Sequence, residues 1–546
     1  MTNWRLVDLK SVGLIVVAGL WGLSAAQEPA GSDGRAREPR ESPAQAAQAA
    51  LTAQLCKIDL KGDKKDQWMR LPQAGASVTQ HRLSVPGKAP IDYTATAGTL
   101  IVRDDEDKPI ASIGYIAYIR RGTNGNTRPI TFAFNGGPGS SSLWLHMGVL
   151  GPRRVVLSDP DPTPPGPYRT VDNAYGLLDK SDLVMIDPVG TGISSAVCDH
   201  KDDEFYAVDP DIDSVSRFIA QYLSDNSRWS SPKYLLGESY GTTRGAAIVD
   251  YLHERRDLAF NGLILVSVAT DIEAVFAELP GNDRPYAVYL PAYTAVAWYH
   301  HMLPNQPAAL EPLLTEVRAY AAGPFSAALT QGDALSDSER EAVATKVHEY
   351  TGLSVEYLKA ANLRVAENEF AHELLRARRV TVGRLDGRFT GPTIDPRAKQ
   401  TDYDPQSSAI SAAYAATFLD YYHGELKFGQ GSTYRTVNFE VGKKWKWTHH
   451  TASGEQTLVN SGVDLAEALM KDANLRVLVI NGYYDLATPF SATEYVMNHL
   501  GVPPSVRGRI QMKYYEAGHM MYVHPPSLEK MKRDLDAFID ATARQP

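Results

Sequence analysis

Cysteine is nearly absent from this chain. Only Cys56 and Cys198 occur among 546 residues, so no disulfide framework holds the fold, and a single Cys56–Cys198 bridge is the most it allows. Positive charge is not in excess: the formal net charge is −9, which argues against nucleic acid as a partner. The one segment that interleaves basic and aromatic residues is Lys443-Lys444-Trp445-Lys446-Trp447. Its period of two reads as a half-exposed strand rather than a polyanion site. Clustered metal ligands are missing too. The histidines form adjacent pairs, His300-His301 and His449-His450, whose side chains diverge where zinc needs convergence. They read as surface or pocket-lining residues, and neither metal nor cofactor is expected. Internal repeats are lacking. After Leu23 no apolar run approaches the roughly 20 residues of a membrane span, so stable membrane insertion is not expected.

What is present is an ordinary globular balance, 43% apolar and 22% charged, which excludes wholesale disorder. The length suits one elaborated catalytic domain, with a large core and an inserted cap. The first residues have the form of an export signal: Arg5 and Lys10 carry charge, Val12 to Leu23 is apolar, and Ser24-Ala25-Ala26 offers small residues for cleavage before Gln27. About 12 apolar residues fall short of a spanning anchor. The expectation is an exported protein, periplasmic or secreted, with a mature net charge of about −10.

Periodicity divides the remainder. Residues 27–57 are rich in Ala, Gln, Pro, Arg and Glu and read as a linker, turning helical near 44–55. Val78 to Val85, Ile91 to Ala97 and Ile113 to Ile119 are β-rich between turn signals and predict an antiparallel opening. Short apolar runs of the buried-strand kind follow at Ile130 to Phe134, Leu183 to Ile186, Tyr234 to Leu236, Leu263 to Val268 and Val477 to Ile480. Helical patterns at Ser214 to Leu223 and Thr243 to His253 separate several of them, which predicts an α/β fold with a mostly parallel sheet and helices on both faces. From about Asp271 to Gly462 the strand rhythm gives way to helical or irregular stretches, among them Pro307 to Ala322, Ser336 to Tyr350, Ser354 to Ala377 and Ile410 to Leu426. The predicted organisation is a signal peptide at 1–26, a linker at 27–57, a first core part at 58–271, a largely helical cap insertion at 272–462 and a second core part at 463–546.

Chemistry concentrates where strands end. Gly237-Glu238-Ser239-Tyr240-Gly241 stands between a strand and a helix, and a G-x-S-x-G turn there forces Ser239 into a tight, exposed elbow. Serine needs a base to take its proton, and the base needs a carboxylate to fix its tautomer. Asp485 follows the strand Val477 to Ile480, and His519 follows the short strand Met512 to Tyr515 in Ala517-Gly518-His519. The order Ser, Asp, His is that of the α/β-hydrolase fold. Asn135-Gly136-Gly137-Pro138-Gly139 leaves the strand Ile130 to Phe134. It is placed to aim the Gly137 N–H, with that of Tyr240, at a tetrahedral oxyanion.

Together these segments resemble the serine carboxypeptidase family, on Asn135 to Ser142, Pro188 to Ser194, Gly237 to Gly241, Asp485 and Ala517 to Met520. The resemblance implies a catalytic triad of Ser239, Asp485 and His519, and an oxyanion hole of Gly137 and Tyr240. It also implies that Asn135, Gly136 and Glu238 hold the C-terminal carboxylate of a peptide substrate. For that Glu238 must be protonated, since an ionised carboxylate repels another. Three departures stand out. Val149 occupies the position of a second glutamate common in the family, Ser140 replaces a common cysteine, and Asp187 stands where glutamine is frequent.

The reading is a serine carboxypeptidase acting through an acyl-enzyme. The alternative opened by Val149 is an esterase or acyltransferase on the same scaffold, and a non-catalytic binding protein is the reading from another class. The aromatics Tyr286, Tyr289, Tyr293, Trp298 and Tyr299 suit the packing of a cap helix better than an aromatic pocket. Side-chain preference and oligomeric state are not legible.

Overall fold

The computed structural model describes Cys56, residues 75–276 and residues 281–543. The expected signal peptide at 1–26, and the linker at 27–57 with its helical turn, lie outside the described residues apart from Cys56. That cysteine forms a disulfide with Cys198, Cα atoms 5.3 Å apart, which ties the segment before the fold to the core.

Among the described residues nine strands line up in one central sheet. Three open it as an antiparallel meander, β1 (Ser77–Leu83), β2 (Ile91–Arg103) and β3 (Pro109–Arg120). The other six are β4 (Ile130–Phe134), β5 (Asp182–Ile186), β6 (Lys233–Ser239), β7 (Gly262–Val268), β8 (Arg476–Gly482) and β9 (Ile510–Tyr515). Their spatial order is β1-β2-β3-β5-β4-β6-β7-β8-β9, and the pair Ser195–Ala196 joins the side of β3. From β5 to β9 every pairing is parallel.

Strands β4, β5 and β7 are buried along their whole length, which is why they read as unbroken apolar runs: helices cover both faces. On one face, α1 (Val208–Asp225) and α2 (Tyr240–Arg256) pack through Phe218, Ile219, Ile248 and Leu252 against Phe132, Leu235 and Leu263. On the other, α5 (Pro525–Ala543) packs Leu535 and Phe538 against Tyr234, Leu236 and Ile264. Neighbours such as Leu235 and Leu236 serve opposite faces, as strand geometry requires.

Between β7 and β8 the chain leaves the sheet for a mainly helical excursion, whose first part shares an apolar cluster with Tyr484, Leu486 and Phe490 from beyond β8. It starts with α3 (Arg284–Tyr299), whose Tyr289 and Tyr293 are buried there, Tyr293 stacked on Phe370 at 4.1 Å. It also carries α4 (Pro405–Asp420). The helical stretch expected at Ser354 to Ala377 is interrupted, with α-helices at Val355–Ala360 and Glu367–Glu373 and a 3-10 turn at Arg376–Arg378. Between the two α-helices Asn362 and Leu363 take positive φ, a conformation that ends a right-handed helix.

Two expectations need correction. The segment 443–447 is not a strand: a short helix, Phe439–Lys444, runs into it. Trp445 and Trp447 are then buried against the Tyr240 ring at 5.0 and 5.8 Å, with Lys446 exposed. The period of two is real, but core packing produces it. His449 is likewise neither a surface nor a pocket residue. It is buried between Asp209 and Asp464; burial lowers its pKa, but those carboxylates outweigh it and push it up to about 9. Among the described residues no helix is long and apolar enough to cross a membrane.

The register aligns the C-terminal strand ends. Phe134 pairs with Gly237, Glu238 with Val266, Val266 with Ile480, and Gly482 with Tyr515. The segments starting at Asn135, Ser239, Tyr483 and Glu516 therefore emerge at one edge of the sheet, where ligands bind in parallel α/β folds.

Candidate active site

Ser239 is the last residue of β6 and the residue before α2, with φ 59° and ψ −130°. A serine held there is strained, by about 1–3 kcal/mol, and the turn closes only because its neighbours lack side chains. A Cβ on Gly237 would fall 2.0 Å from the Gly241 carbonyl oxygen. A Cβ on Gly136 would come within 2.5 Å of the Tyr240 nitrogen, so the loop after β4 approaches the elbow at backbone distance.

Asp485 is fully buried just beyond β8. Its Oδ1 accepts the N–H groups of Ala487 and Thr488 at 2.8 and 2.9 Å, and its Oδ2 accepts the Thr488 hydroxyl at 2.8 Å. The same Oδ2 lies 2.8 Å from Nδ1 of His519. Burial works against a charged imidazole, but the Asp485 carboxylate together with Glu238 outweighs it, and the His519 pKa is raised. With Nδ1 engaged, Nε2 is the nitrogen left for a reacting group.

The histidine loop is held from the cap. The His519 N–H donates to the Leu385 carbonyl at 2.6 Å, and the Gly518 N–H donates to Asp386 Oδ2 at 2.9 Å. Asp386 is in turn gripped by buried Arg388 at 2.6 Å, which also pairs with Asp159 at 2.8 Å.

One pocket collects the candidate residues: Asn135, Gly136, Gly137, Glu238, Ser239 and His519 all line it. Asp485 stands behind His519, and the Tyr240 side chain points away into the core. The Ser239 hydroxyl and the imidazole share the pocket without a hydrogen bond between them, a looseness common before substrate tightens such sites. Glu238, next to the nucleophile, is 4% exposed. Burial pushes its pKa up to about 7, against the pull of His519 and the nearby Tyr522 and Asn135. The Asn135 amide donates to Glu238 Oε1 at 2.7 Å.

The sequence matches the serine carboxypeptidase family model over residues 89–524. The chain belongs to that family. The fold is that of the α/β-hydrolases, and the protein is a serine hydrolase. No curated protein matches the sequence. Among solved structures, a proline iminopeptidase of Mycobacterium smegmatis is 14% identical with a TM-score of 0.32, covering 85% of this chain and 99% of its own. The peroxisomal α/β-hydrolase Lpx1 of Saccharomyces cerevisiae is 11% identical with a TM-score of 0.37, covering 87% and 92%. Likeness at that level adds nothing to what topology and family already establish.

In this serine carboxypeptidase family member Val149, Ser140 and Asp187 are each drawn into packing or hydrogen bonds. Val149 lies in a π-helical turn, His146–Leu150, fully buried in the apolar core. Ser140 accepts the Trp144 indole N–H at 2.9 Å. Asp187 is buried, which raises its pKa to about 6, and it accepts the Ser142 N–H and the Tyr434 hydroxyl, each at 2.8 Å. It thus anchors the far end of the glycine loop.

Sequence reasoning missed two further supports. Arg244, 1% exposed, donates to the Asn135 carbonyl at 2.9 Å and to Asp211 at 2.7 Å, so it clamps α2 to the glycine loop. Asp386 and Arg388 were equally hidden. A single arginine on a helix, or a D-x-R in a cap loop, carries no motif.

Proposed function

We propose that this protein is an exported serine-type carboxypeptidase that releases C-terminal residues from peptides. The observation that carries the reading is that one pocket is lined by Ser239, by His519 braced on Asp485, and by a buried carboxyl, Glu238, whose pKa stands near 7. A peptide with a free C-terminus is the substrate such a pair of functions suits.

In the proposed reaction Ser239 Oγ attacks the last peptide carbonyl while its proton passes to His519 Nε2. The N–H groups of Gly137 and Tyr240 take the developing oxyanion, and Asp485 stabilises the imidazolium. Collapse breaks the C–N bond, and His519 returns the proton to the departing amine. Water, deprotonated by His519, then cleaves the Ser239 ester and restores the enzyme. Neutral Glu238, with Asn135 and Gly136, receives the carboxylate of the leaving residue below about pH 7. The N-terminal signal reading and the Cys56–Cys198 disulfide support export, since disulfides persist in oxidising compartments.

A second reading, esterase or acyltransferase, draws on Val149, which puts no second carboxyl beside Glu238. The two separate on N-blocked dipeptides, their C-terminal amides and matching esters, with Ser239→Ala as control. A carboxypeptidase prefers the free acids at pH 5, whereas cleavage of esters alone would move the assignment to the second reading.

A further inference from the structure

Arg244 stands one helical turn after Tyr240 on α2. Its side chain and that of Asp211 are 1% and 5% exposed, so the ion pair between them is shielded from water. The guanidinium lies over two rings, 4.9 Å from the centre of Phe134 and 5.1 Å from that of Tyr240. Its Nε donates to Asp211 Oδ2 at 2.7 Å, and its Nη1 donates to the Asn135 carbonyl at 2.9 Å. The Tyr240 hydroxyl donates to the same Asp211 oxygen at 3.1 Å. Burial and the Asp211 charge hold that phenol far above its usual pKa, so it remains a donor.

These contacts converge on the two peptide groups that would face an oxyanion. The Asn135 carbonyl shares its peptide plane with the Gly136 nitrogen, and the next plane carries the Gly137 N–H. Tyr240 supplies the other N–H. The two segments meet backbone to backbone: a Cβ on Gly136 would lie 2.5 Å from the Tyr240 nitrogen, and one on Gly241 would lie 3.2 Å from the Asn135 carbonyl oxygen. Such contact sets the spacing, while the direction of each N–H follows from what grips the flanking groups. Asp211 grips both segments from a third element, the first turn of α1. Trp445 and Trp447 pack edge-on against the Tyr240 ring.

A buried ion pair adds little net stability, because desolvating two charges offsets their attraction. It adds direction. The planar guanidinium presents its N–H groups at fixed angles, so one side chain joins Asp211 on α1 to the Asn135 carbonyl on the glycine loop. An oxyanion hole is effective when its donors are aimed before charge develops.

We propose that Arg244, oriented by Asp211, is a positioning residue for the oxyanion hole: it locks the Asn135–Gly136 peptide against α2 and so aligns the Gly137 and Tyr240 N–H groups. The assignment rests on the acyl-transfer reading and deepens it, and it holds for peptide and ester substrates alike. Neither Arg244 nor Asp211 lines the nucleophile pocket, so the pair acts on the transition state and leaves ground-state binding alone.

The test compares wild type, the double variant Asp211→Asn/Arg244→Met and the single variant Arg244→Lys on an N-blocked amino-acid ester. The affinity of a peptide aldehyde is measured beside it, since its hemiacetal with Ser239 places an oxygen in the hole. The double variant leaves no unpaired buried charge, and its new amide still accepts from the Tyr240 hydroxyl. Its kcat is expected to fall about 100-fold with little change in KM. Aldehyde affinity falls by the same factor while the melting temperature stays near wild type. Arg244→Lys keeps the charge and loses one of two hydrogen bonds, so its kcat falls roughly tenfold. If the double variant does not fold, Arg244→Lys decides. A folded variant with wild-type kcat and aldehyde affinity overturns the positioning role alone, whether or not its melting temperature drops. A wild type that neither cleaves the ester nor binds the aldehyde overturns the acyl-transfer reading and this assignment with it.

Discussion

The amide of Asn135 donates to Glu238 Oε1 across 2.7 Å, joining the loop after β4 to the residue beside the nucleophile. The same Asn135 accepts the Leu145 N–H through Oδ1 at 3.0 Å and the Arg244 guanidinium through its backbone carbonyl at 2.9 Å. One residue thus fixes the glycine loop, the buried carboxyl and α2 in a single frame.

That frame sets a pH dependence. Glu238 is neutral below about pH 7 and ionised above it, whereas His519 must be neutral to act as base on any substrate. The ratio of kcat/KM for free acids over their amides therefore falls as pH rises through 7, and Glu238→Gln flattens the fall. Kinetics from pH 4 to 8 on both substrates check this. An unchanged profile assigns the fall to another group.

Stability carries the opposite face of the same shift. A carboxyl whose folded pKa is raised holds its proton more tightly when folded, so its contribution is full below pH 4.5 and lost as pH rises through 7. Wild type therefore loses roughly 3 kcal/mol relative to Glu238→Gln between pH 4 and 8. Urea midpoints at the two pH values measure the difference.

Asp485→Asn leaves Nδ1 of His519 facing an amide rather than a carboxylate. A drop in kcat of about 10⁴ near neutral pH is expected, with little change in KM, because tautomer and imidazolium stabilisation are lost together. Steady-state kinetics on an ester substrate read it directly.

Ser239→Gly separates strain from chemistry. Glycine relieves the positive φ at the elbow while adding chain entropy to the unfolded state. The net expectation is a gain of about 1 kcal/mol with all hydrolysis abolished. Chemical denaturation of this variant beside Ser239→Ala shows it, since alanine keeps the Cβ and the strain.

Arg388→Met leaves Asp386 and Asp159 buried without their shared cation. Destabilisation of about 3–5 kcal/mol is expected. Because Asp386 holds the Gly518 N–H, kcat falls as well, by up to about 100-fold if His519 shifts by an ångström. Thermal melts and kinetics together test the coupling.

How far the sequence was legible depends on whether local pattern or distant packing decides. The strand Ile130 to Phe134 was read to the residue because it is buried on both faces and bounded by glycine and proline. The elbow at Ser239 was legible because close backbone approach demands glycines at 237 and 241. The strand assigned to 443–447 failed because tertiary contact with Tyr240, not pairing in a sheet, buries Trp445 and Trp447. Arg244, Asp386 and Tyr522 were invisible, since they meet Asp211, Gly518 and Glu238, each on a separate segment of the chain.

Reaction of the purified protein with a fluorophosphonate probe, followed by peptide mass spectrometry, tests the central claim most directly. The account predicts a single modified residue, Ser239, labelled at a rate that collapses in His519→Ala and falls steeply in Asp485→Asn. Modification elsewhere, or labelling of Ser239 at an undiminished rate in His519→Ala, would contradict it.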